Sequence, residues 1–231
     1  MRIGVVDLGT NSTRLLAADV DGERVEEIER KTEITRLGEG VDKRRKLLPL
    51  PIARVRNVLS DYRRELERLS AERVLAIATS AVRDAENGEA FLGEVEWSYG
   101  FTTRLLTGEE EAELTLRGVA TERPVDDRTV VLDVGGGSTE LITTAERKSL
   151  DVGSVRLTER HLHSDPPAPA ALAAAAREVR KLLPQLEPTA AIGVAGTITT
   201  LAALELGGYD HERVPGFHLS RRGRVQHRLP Q

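Results

Sequence analysis

The sequence predicts an α/β protein made of two related lobes that face one ligand. The strongest observation is an internal repeat: Val5–Leu15 aligns without gaps with Val131–Leu141, and six of the eleven aligned pairs are identical. Strand-like and helix-like segments also alternate along the 231 residues, a length that allows one large domain or two small ones. Each copy of the repeat is typical of a β-hairpin with polar residues at its tip.

The first lobe begins with the first hairpin, and the residue patterns that follow predict its other elements. A third strand is predicted over 25–37, after the turn at Asp21-Gly22. An amphipathic helix with a proline at its start is predicted over 51–69. The elements predicted after it are a strand at 74–78, a helix at 85–97, a strand at 101–106, a helix at 109–120 and a connection between lobes at 121–128.

The second lobe repeats this plan but is shorter. Its predicted elements are the second hairpin, a third strand at 150–157, a helix at 168–186, a strand at 190–195 and a helix at 198–206. No counterpart of the first lobe's last strand and helix is recognisable. We therefore expect a first lobe over 1–122, an incomplete second lobe over 123–217 and a basic, disordered tail over 218–231.

Composition excludes several classes of protein. Without cysteine there is no disulfide framework, thiolate nucleophile or cysteine-bound zinc. Aromatic residues make up only 3% of the chain and the net charge is −4, so nucleic acid is not an expected partner. No apolar run approaches the ~20 residues of a membrane span, and the start of the chain does not resemble a signal peptide. We expect a cytoplasmic protein with no membrane partner.

Three turns have the composition of phosphate-binding turns. Glycine allows an anion to approach the backbone closely, while amides and hydroxyls donate hydrogen bonds to it. The two hairpin tips supply Gly9 to Thr13 and Gly135 to Thr139, and a third Gly-Thr turn at 193–199 leads into a helix N-terminus. Any one of them alone is better explained as a tight turn that needs glycine, but together they favour a phosphorylated substrate.

Carboxylates stand where the hairpin strands end. Asp7 and Asp133 occupy equivalent places in the two copies, and acids there can hold Mg²⁺ beside a phosphate. Glu140 lies across the second tip from Asp133, whereas the first tip has Arg14 at that place. The difference suggests metal at the second tip and phosphate at the first, although either side chain alone could be a solvated strand residue.

Two further segments carry candidate groups. The acidic run Glu109 to Glu111 opens a predicted helix, where the helix dipole favours ionised carboxylates, and the spacing does not choose among the three. Arg83 follows a Thr-Ser pair at a strand end, a pattern that fits phosphate binding and a simple helix cap equally well.

These segments together resemble the exopolyphosphatase and guanosine pentaphosphate phosphohydrolase (Ppx/GppA) family. That family lies within the actin-like, sugar kinase and Hsp70-type ATPase superfamily, whose lobes are ribonuclease H-like. The resemblance is collinear and covers residues 1 to about 220. It is carried by six motifs: DLGTNSTR at 7–14, ATSAVRDAEN at 78–87, LLTGEEEAEL at 105–114, LDVGGGSTEL at 132–141, DVGSVRLTER at 151–160 and GVAGTITTLAA at 193–203.

The resemblance implies two actin-like lobes with mixed sheets, a phosphate-binding cleft between them, and hydrolysis of a terminal phosphoanhydride with Mg²⁺ or Mn²⁺. In the family's Gly-x-Glu-Glu-Ala motif the first Glu after the variable residue is the catalytic base, which carries onto Glu110. Asp133 and Glu140, with Asp7 as an additional candidate, would serve the metal. The implied phosphate-binding residues are Asn11, Ser12, Arg83, Gly135, Gly136, Gly137, Ser138, Gly196 and Thr197.

The resemblance leaves the substrate and the activity open. Inorganic polyphosphate and guanosine pentaphosphate or tetraphosphate both fit, and a binding module without turnover is an alternative if the short second lobe does not close. A kinase of the same superfamily is disfavoured by the Gly-x-Glu-Glu-Ala match. The missing last strand would leave an unpaired sheet edge and exposed apolar surface, and lobes with such an edge often pair as homodimers.

Overall fold

The computed structural model describes residues 1–219, which form two β-sheets with helices packed against them. The first part of the chain contains β1 Arg2–Leu8, β2 Ser12–Asp21, β3 Arg24–Ile34, α1 Val41–Arg44, α2 Pro49–Arg68, β4 Arg73–Ala78, α3 Ser80–Arg83, α4 Gly88–Tyr99, β5 Thr102–Leu105 and α5 Gly108–Glu122. The second part contains β6 Thr129–Val134, β7 Thr139–Ile142, β8 Arg147–Leu150, α6 Ser154–His161, α7 Pro169–Leu182, β9 Ala190–Val194 and α8 Ala195–Leu206.

The two sheets share one strand plan. The first has the order β3-β2-β1-β4-β5 and the second the order β8-β7-β6-β9. In each, the first strand of an antiparallel hairpin (β1 with β2, β6 with β7) pairs on its other side with a parallel strand, β4 in the first sheet and β9 in the second. The repeat predicted from the sequence is therefore a repeat of topology, and the expected class of two mixed α/β lobes is confirmed.

The first sheet is held by a large apolar core on one of its faces. Helix α2 buries Val55, Leu59, Tyr62 and Leu66, a spacing that places all four on one helical face. The hydroxyl of Tyr62 donates a 2.9 Å hydrogen bond to the carbonyl of Thr13 in β2, so the helix is fixed in register against the first hairpin. This core keeps the first tip rigid.

Helix α5 follows the first sheet in the chain but packs on the second. Its fully buried Ala112 contacts Val131 and Ile142, which lie in β6 and β7. The helix therefore crosses between the lobes, and its first turn lies between the two sheets. The division predicted at residues 1–122 and 123–217 remains a prediction, because α5 belongs to one lobe by sequence and to the other by packing.

The second lobe is less well covered than the first. Within residues 1–219 its sheet has four strands against five, and β9 pairs on one side only. Leu172 in α7 is 49% exposed and Leu201 in α8 is 40% exposed. The expectation of an incomplete second lobe with an unpaired edge and exposed apolar side chains therefore holds for the part of the chain that the structure describes.

Two predictions of local structure are wrong. The strand predicted at 150–157 is the end of β8 followed by the helix α6, whose first amides donate to the carbonyls of Gly135 and Gly136. A contact distant in sequence thus overrides the strand-like composition. The helix predicted at 85–97 starts instead at Gly88, and a separate one-turn helix, α3, precedes it.

The predicted disordered tail, 218–231, lies outside the described residues apart from its first two. None of the helices within residues 1–219 combines the length and the apolar composition needed to cross a lipid bilayer.

The packing predicts where stability resides. Leu59 is completely buried in the first core, so Leu59→Ala should lower the free energy of unfolding by about 2–5 kcal/mol. Leu172→Ala, at an exposed site on α7, should change it by less than about 1 kcal/mol. Urea unfolding followed by circular dichroism measures both. Equal losses in the two variants would contradict this description of the core.

Candidate functional site: a cleft between the two sheets

A cleft of about 670 Å³ lies between the two sheets, and both lobes contribute to its walls. The two hairpin tips face each other across it, and the start of α8 forms a third side. The lining residues that carry polar groups are Asp7, Thr10, Asn11, Ser12, Arg14, Thr32, Thr79, Ser80, Glu111, Thr115, Asp133, Ser138, Ser154, Thr197 and Thr200.

The two hairpin tips have the same turn geometry. Gly9 N–H donates to the carbonyl of Ser12 at 3.0 Å, and Gly135 N–H donates to the carbonyl of Ser138 at the same distance. In each turn the two amides after the glycine have no acceptor within residues 1–219. Unsatisfied amides beside a cleft are suited to bind an anion. The repeat has thus produced two turns of equivalent geometry, each with two free amides.

The third turn leads from β9 into α8. Ala195 has a φ of +66°, a left-handed conformation that is strained for a residue with a Cβ and that recurs at functional sites. Ala195, Gly196 and Thr197 all line the cleft, so the N-terminus of this twelve-residue helix faces it. The partial positive charge of the helix end favours an anion there.

Seven of the nine predicted phosphate-binding residues line the cleft, and two do not. The seven are Asn11, Ser12, Gly135, Gly136, Ser138, Gly196 and Thr197. Gly137 packs instead against the first lobe: a Cβ there would lie 2.5 Å from Ser80 Oγ and 2.8 Å from Thr10 Oγ1. Arg83 donates to the carbonyl of Leu106 at 2.7 Å and lies behind the wall.

The structure does not place Glu110 in the cleft. Its carboxylate accepts a 2.9 Å hydrogen bond from the amide of Thr107, and the Thr107 hydroxyl accepts one from the amide of Glu110, forming a capping box. Arg104 donates to the same carboxylate at 2.5 Å. These bonds lower the pKa of Glu110, and its side chain is 40% exposed and does not line the cleft. The expectation that Glu110 acts at the cleft is therefore corrected.

Glu111 is the acid of this run that lines the cleft. Its Oε2 atom is buried and has no hydrogen-bond partner among the described residues, and Arg83 Nη1 lies 3.6 Å away. Burial, together with the negative charge of Glu140, raises the pKa of Glu111 to about 8. A buried carboxylate without a hydrogen bond is costly unless something binds it.

Three more carboxylates surround Glu111. Burial raises the pKa of Asp7 to about 6 and raises those of Asp133 and Glu140 as well. Thr115, one helical turn after Glu111, donates to Asp133 Oδ2 at 3.2 Å and also lines the cleft. Helix α5 of the first part of the chain thus carries two polar cleft residues, Glu111 and Thr115, to the second sheet.

Glu140 differs from the other acids because it does not reach the cleft. Its side chain is 1% exposed, and the hydroxyl of Ser149 donates to it at 2.8 Å. It is the cross-strand partner of Asp133, as the repeat indicated. Glu140 therefore lies beneath the cleft floor, and its carboxylate does not line the cleft in which a metal would bind.

Arg14 is the principal cation in the cleft wall. It is the cross-strand partner of Asp7, and its Nη1 lies 3.6 Å from Asp7 Oδ2. A Cβ placed on Gly196 would lie 3.9 Å from Arg14 Nη2, so the guanidinium extends from the first tip towards the third turn. It is thus placed to contact an anion held between the lobes.

The carboxylates suit a divalent cation that also binds the substrate. Within residues 1–219 no group of three or more His, Cys, Asp or Glu side chains is arranged to hold a metal ion by itself. Mg²⁺ commonly binds through one or two carboxylates, water and substrate phosphate. Asp7 and Asp133, which both line the cleft, fit such an ion, and Glu111 Oε2, which has no hydrogen-bond partner among the described residues, lies in the same lining.

Comparison with known proteins gives the family. The model of the Ppx/GppA phosphatase family matches residues 15–213. Exopolyphosphatase 2 of Mycobacterium tuberculosis is 41% identical over 95% of this chain and 75% of its own length. The chain belongs to the Ppx/GppA phosphatase family. This membership confirms both the predicted resemblance and the expected enzyme class, a hydrolase of phosphoanhydrides.

Solved structures of the Ppx/GppA family share the fold. An exopolyphosphatase from Cytophaga hutchinsonii superimposes with a TM-score of 0.82 at 28% identity, covering 90% of this chain and 70% of that one. The Ppx/GppA family member from Aquifex aeolicus gives 0.68 at 33% identity, covering 91% and 71%. The two-lobed fold of the Ppx/GppA family is therefore shown for this chain.

Sequence reasoning did not select Glu111 and Thr115, which line the cleft of this Ppx/GppA chain, although two sequence patterns point to them. Thr107 and Glu110 have the Thr-x-x-Glu spacing of a capping box, which already commits Glu110 to the helix end. Glu111 and Thr115 are four residues apart and hence share a helix face. Those two patterns together select Glu111 from the acidic run.

The raised pKa of Glu111 predicts how stability depends on pH. The pKa of Glu111 is about 8 in the folded protein, above the ordinary 4.5. The free energy of unfolding therefore falls as the pH rises from 4.5 to 8, because the unfolded state releases the proton of Glu111 first. In cation-free buffer, Glu111→Gln should raise the melting temperature at pH 8 by at least about 2–4 °C, corresponding to ~1 kcal/mol. The gain should vanish near pH 4.5.

Calorimetry of Glu110→Gln provides the matched control. The pKa of Glu110 is lowered, so its charged form stabilises the fold at pH 8 and its removal should lower the melting temperature there. A fall in melting temperature for Glu111→Gln as well would contradict the assigned burial.

Proposed function

We propose that this chain hydrolyses the terminal phosphoanhydride bond of inorganic polyphosphate and releases orthophosphate, with Mg²⁺ as the cofactor. The observation that carries the proposal is Glu111: one oxygen of its carboxylate is buried without a hydrogen bond among the described residues, in a cleft whose walls include turns with free amides from both lobes. Two mycobacterial relatives carry the name exopolyphosphatase, which supports polyphosphate as the substrate.

Substrate binding uses the three turns. Amides of the two hairpin tips and of the α8 N-terminus donate to phosphate oxygens, and Arg14 adds a positive charge between them. Mg²⁺ would be held by Asp7 and Asp133 and would neutralise phosphate charge. Because the tips face each other, the chain of phosphates is bound between the lobes.

The chemical step is an in-line attack by water on the terminal phosphorus. Glu111 Oε2 accepts the proton of that water, the new P–O bond forms, and the bond to the bridging oxygen breaks. Orthophosphate and a polyphosphate shorter by one unit are the products. Arg83, 3.6 Å from Glu111 and fixed by the carbonyl of Leu106, favours the charged form of Glu111 that this step requires.

A second candidate substrate is guanosine pentaphosphate. The cleft lining also includes exposed apolar side chains, with Ile34 58% exposed, Leu114 47% exposed and Leu201 40% exposed. An exposed apolar surface beside a phosphate site suits a nucleoside better than a bare phosphate chain. Competition between the two substrates for release of orthophosphate separates the candidates.

The experiment that tests the proposal compares neighbouring glutamates. Glu111→Gln should lower the rate of orthophosphate release from polyphosphate by about 10²–10⁴, the usual effect of losing a general base. Glu110→Gln, which removes an equal charge one residue away at a side chain that does not line the cleft, should leave turnover nearly unchanged. Full activity in Glu111→Gln and loss in Glu110→Gln would overturn the assignment.

A further inference from the structure

Arg156 connects the parts of the molecule that carry the two hairpin tips. It is 7% exposed, although arginine is rarely buried, and it lies in α6, the helix that sequence patterns did not predict. Its Nε donates to the carbonyl of Gly137 at 2.7 Å. Its Nη1 donates to Asp42 at 2.6 Å and its Nη2 to Asp84 at 2.5 Å. One guanidinium thus binds three separate segments of the chain.

Each of these segments supports a wall of the cleft. Gly137 belongs to the second tip. Asp84 is the C-cap of α3, whose first residue, Ser80, bonds the hydroxyl of Thr10 in the first tip at 2.8 Å. Asp42 lies in α1, directly after the segment 35–38, whose amides donate to the carbonyls of the first tip. Arg156 therefore contacts the second tip directly and the first tip through two supports.

The space around this contact leaves little freedom. Cβ atoms placed on Gly136 and Gly137 would lie 3.2 Å and 2.5 Å from atoms of the first lobe. The amides at the start of α6 donate to the carbonyls of Gly135 and Gly136, so α6 holds the second tip from its other side. The separation of the tips is therefore set where Arg156 binds.

We propose that Arg156 is a positioning residue that fixes the separation of the two hairpin tips and so sets the affinity of the cleft for linked phosphates. This inference rests on the proposed function, because it names how that site holds its substrate. Arg156 does not line the cleft and touches no reacting group. Its effect is transmitted through Gly137, Asp42 and Asp84.

The planar guanidinium is suited to this task because its donors point in fixed, different directions. A lysine at the same place keeps the charge but has one nitrogen, which cannot reach all three acceptors. Arg156→Lys should therefore let the separation of the two hairpin tips vary, while it preserves the charge balance with Asp42 and Asp84. Arg160 offers a matched control: it also binds Asp42 and lies one turn later on α6, but it does not contact Gly137.

The first test measures binding without turnover. In the Glu111→Gln background, Arg156→Lys should raise the dissociation constant of tripolyphosphate with Mg²⁺ about tenfold, as misplaced binding groups do, whereas Arg160→Lys should leave it nearly unchanged. In active enzyme the same change should raise KM more than it lowers kcat. Asp84→Asn should reproduce the effect, and adding it to Arg156→Lys should not double it.

A second test measures the lobes directly. Because the chain has no cysteine, Ser60→Cys in α2 and Ala173→Cys in α7, both exposed, give a clean pair of spin-label sites. Arg156→Lys should broaden the distance distribution between them, and tripolyphosphate with Mg²⁺ should narrow it again. A distribution as narrow as that of the parent, with unchanged affinity, would overturn the proposal.

These readouts separate this inference from the proposed function. Orthophosphate release that depends on Glu111 but is equal in the Arg156→Lys and Arg160→Lys variants would overturn the positioning role alone. Absence of both tripolyphosphate binding and release in the folded parent would overturn the proposed function and, with it, this inference.

Discussion

Four carboxylates lie together where the two lobes meet, and the charge arrangement of the cleft depends on that crowding. Burial raises the pKa of Asp7, Glu111, Asp133 and Glu140, and nearby negative charges add to this for all of them except Asp133. Such a group is costly in a protein interior unless cations or protons offset it. Two arginines are close by, and amides of three turns face the same cleft. The arrangement is best satisfied by a divalent cation together with a polyanion, which explains why acids and anion-binding turns share one site.

The lobes contribute unequal parts to this site although they share a strand plan. The first lobe has a large core, while the second sheet has small apolar clusters and, within residues 1–219, an unpaired edge. Contacts between the lobes compensate for this in part, because α5 packs on the second sheet and Arg156 binds back to the first lobe. The better-packed first lobe is therefore the main structural support of the cleft.

Much of the fold could be predicted because local sequence patterns determine it. The repeat at 5–15 and 131–141 predicts the two hairpins and the equivalent positions of Asp7 and Asp133 within them. Features that depend on distant contacts could not be predicted in this way. Helix α6 forms because carbonyls of the second tip receive its first amides, and the strand-like residues around Val155 carry no sign of it. Glu110 was favoured by a motif whose residues were aligned without regard to the helix face they occupy.

We propose that one cation binds between Asp7 and Asp133 and that the terminal phosphates bind with it there, beside Glu111. Anomalous diffraction from crystals grown with Mn²⁺ and a non-hydrolysable imido analogue of tripolyphosphate tests it most directly. The account predicts one strong manganese peak within ligand distance of Asp133 or Asp7, with analogue phosphates on the amides of both hairpin tips. A manganese peak elsewhere on the chain, or an analogue bound outside the cleft, would contradict this proposal.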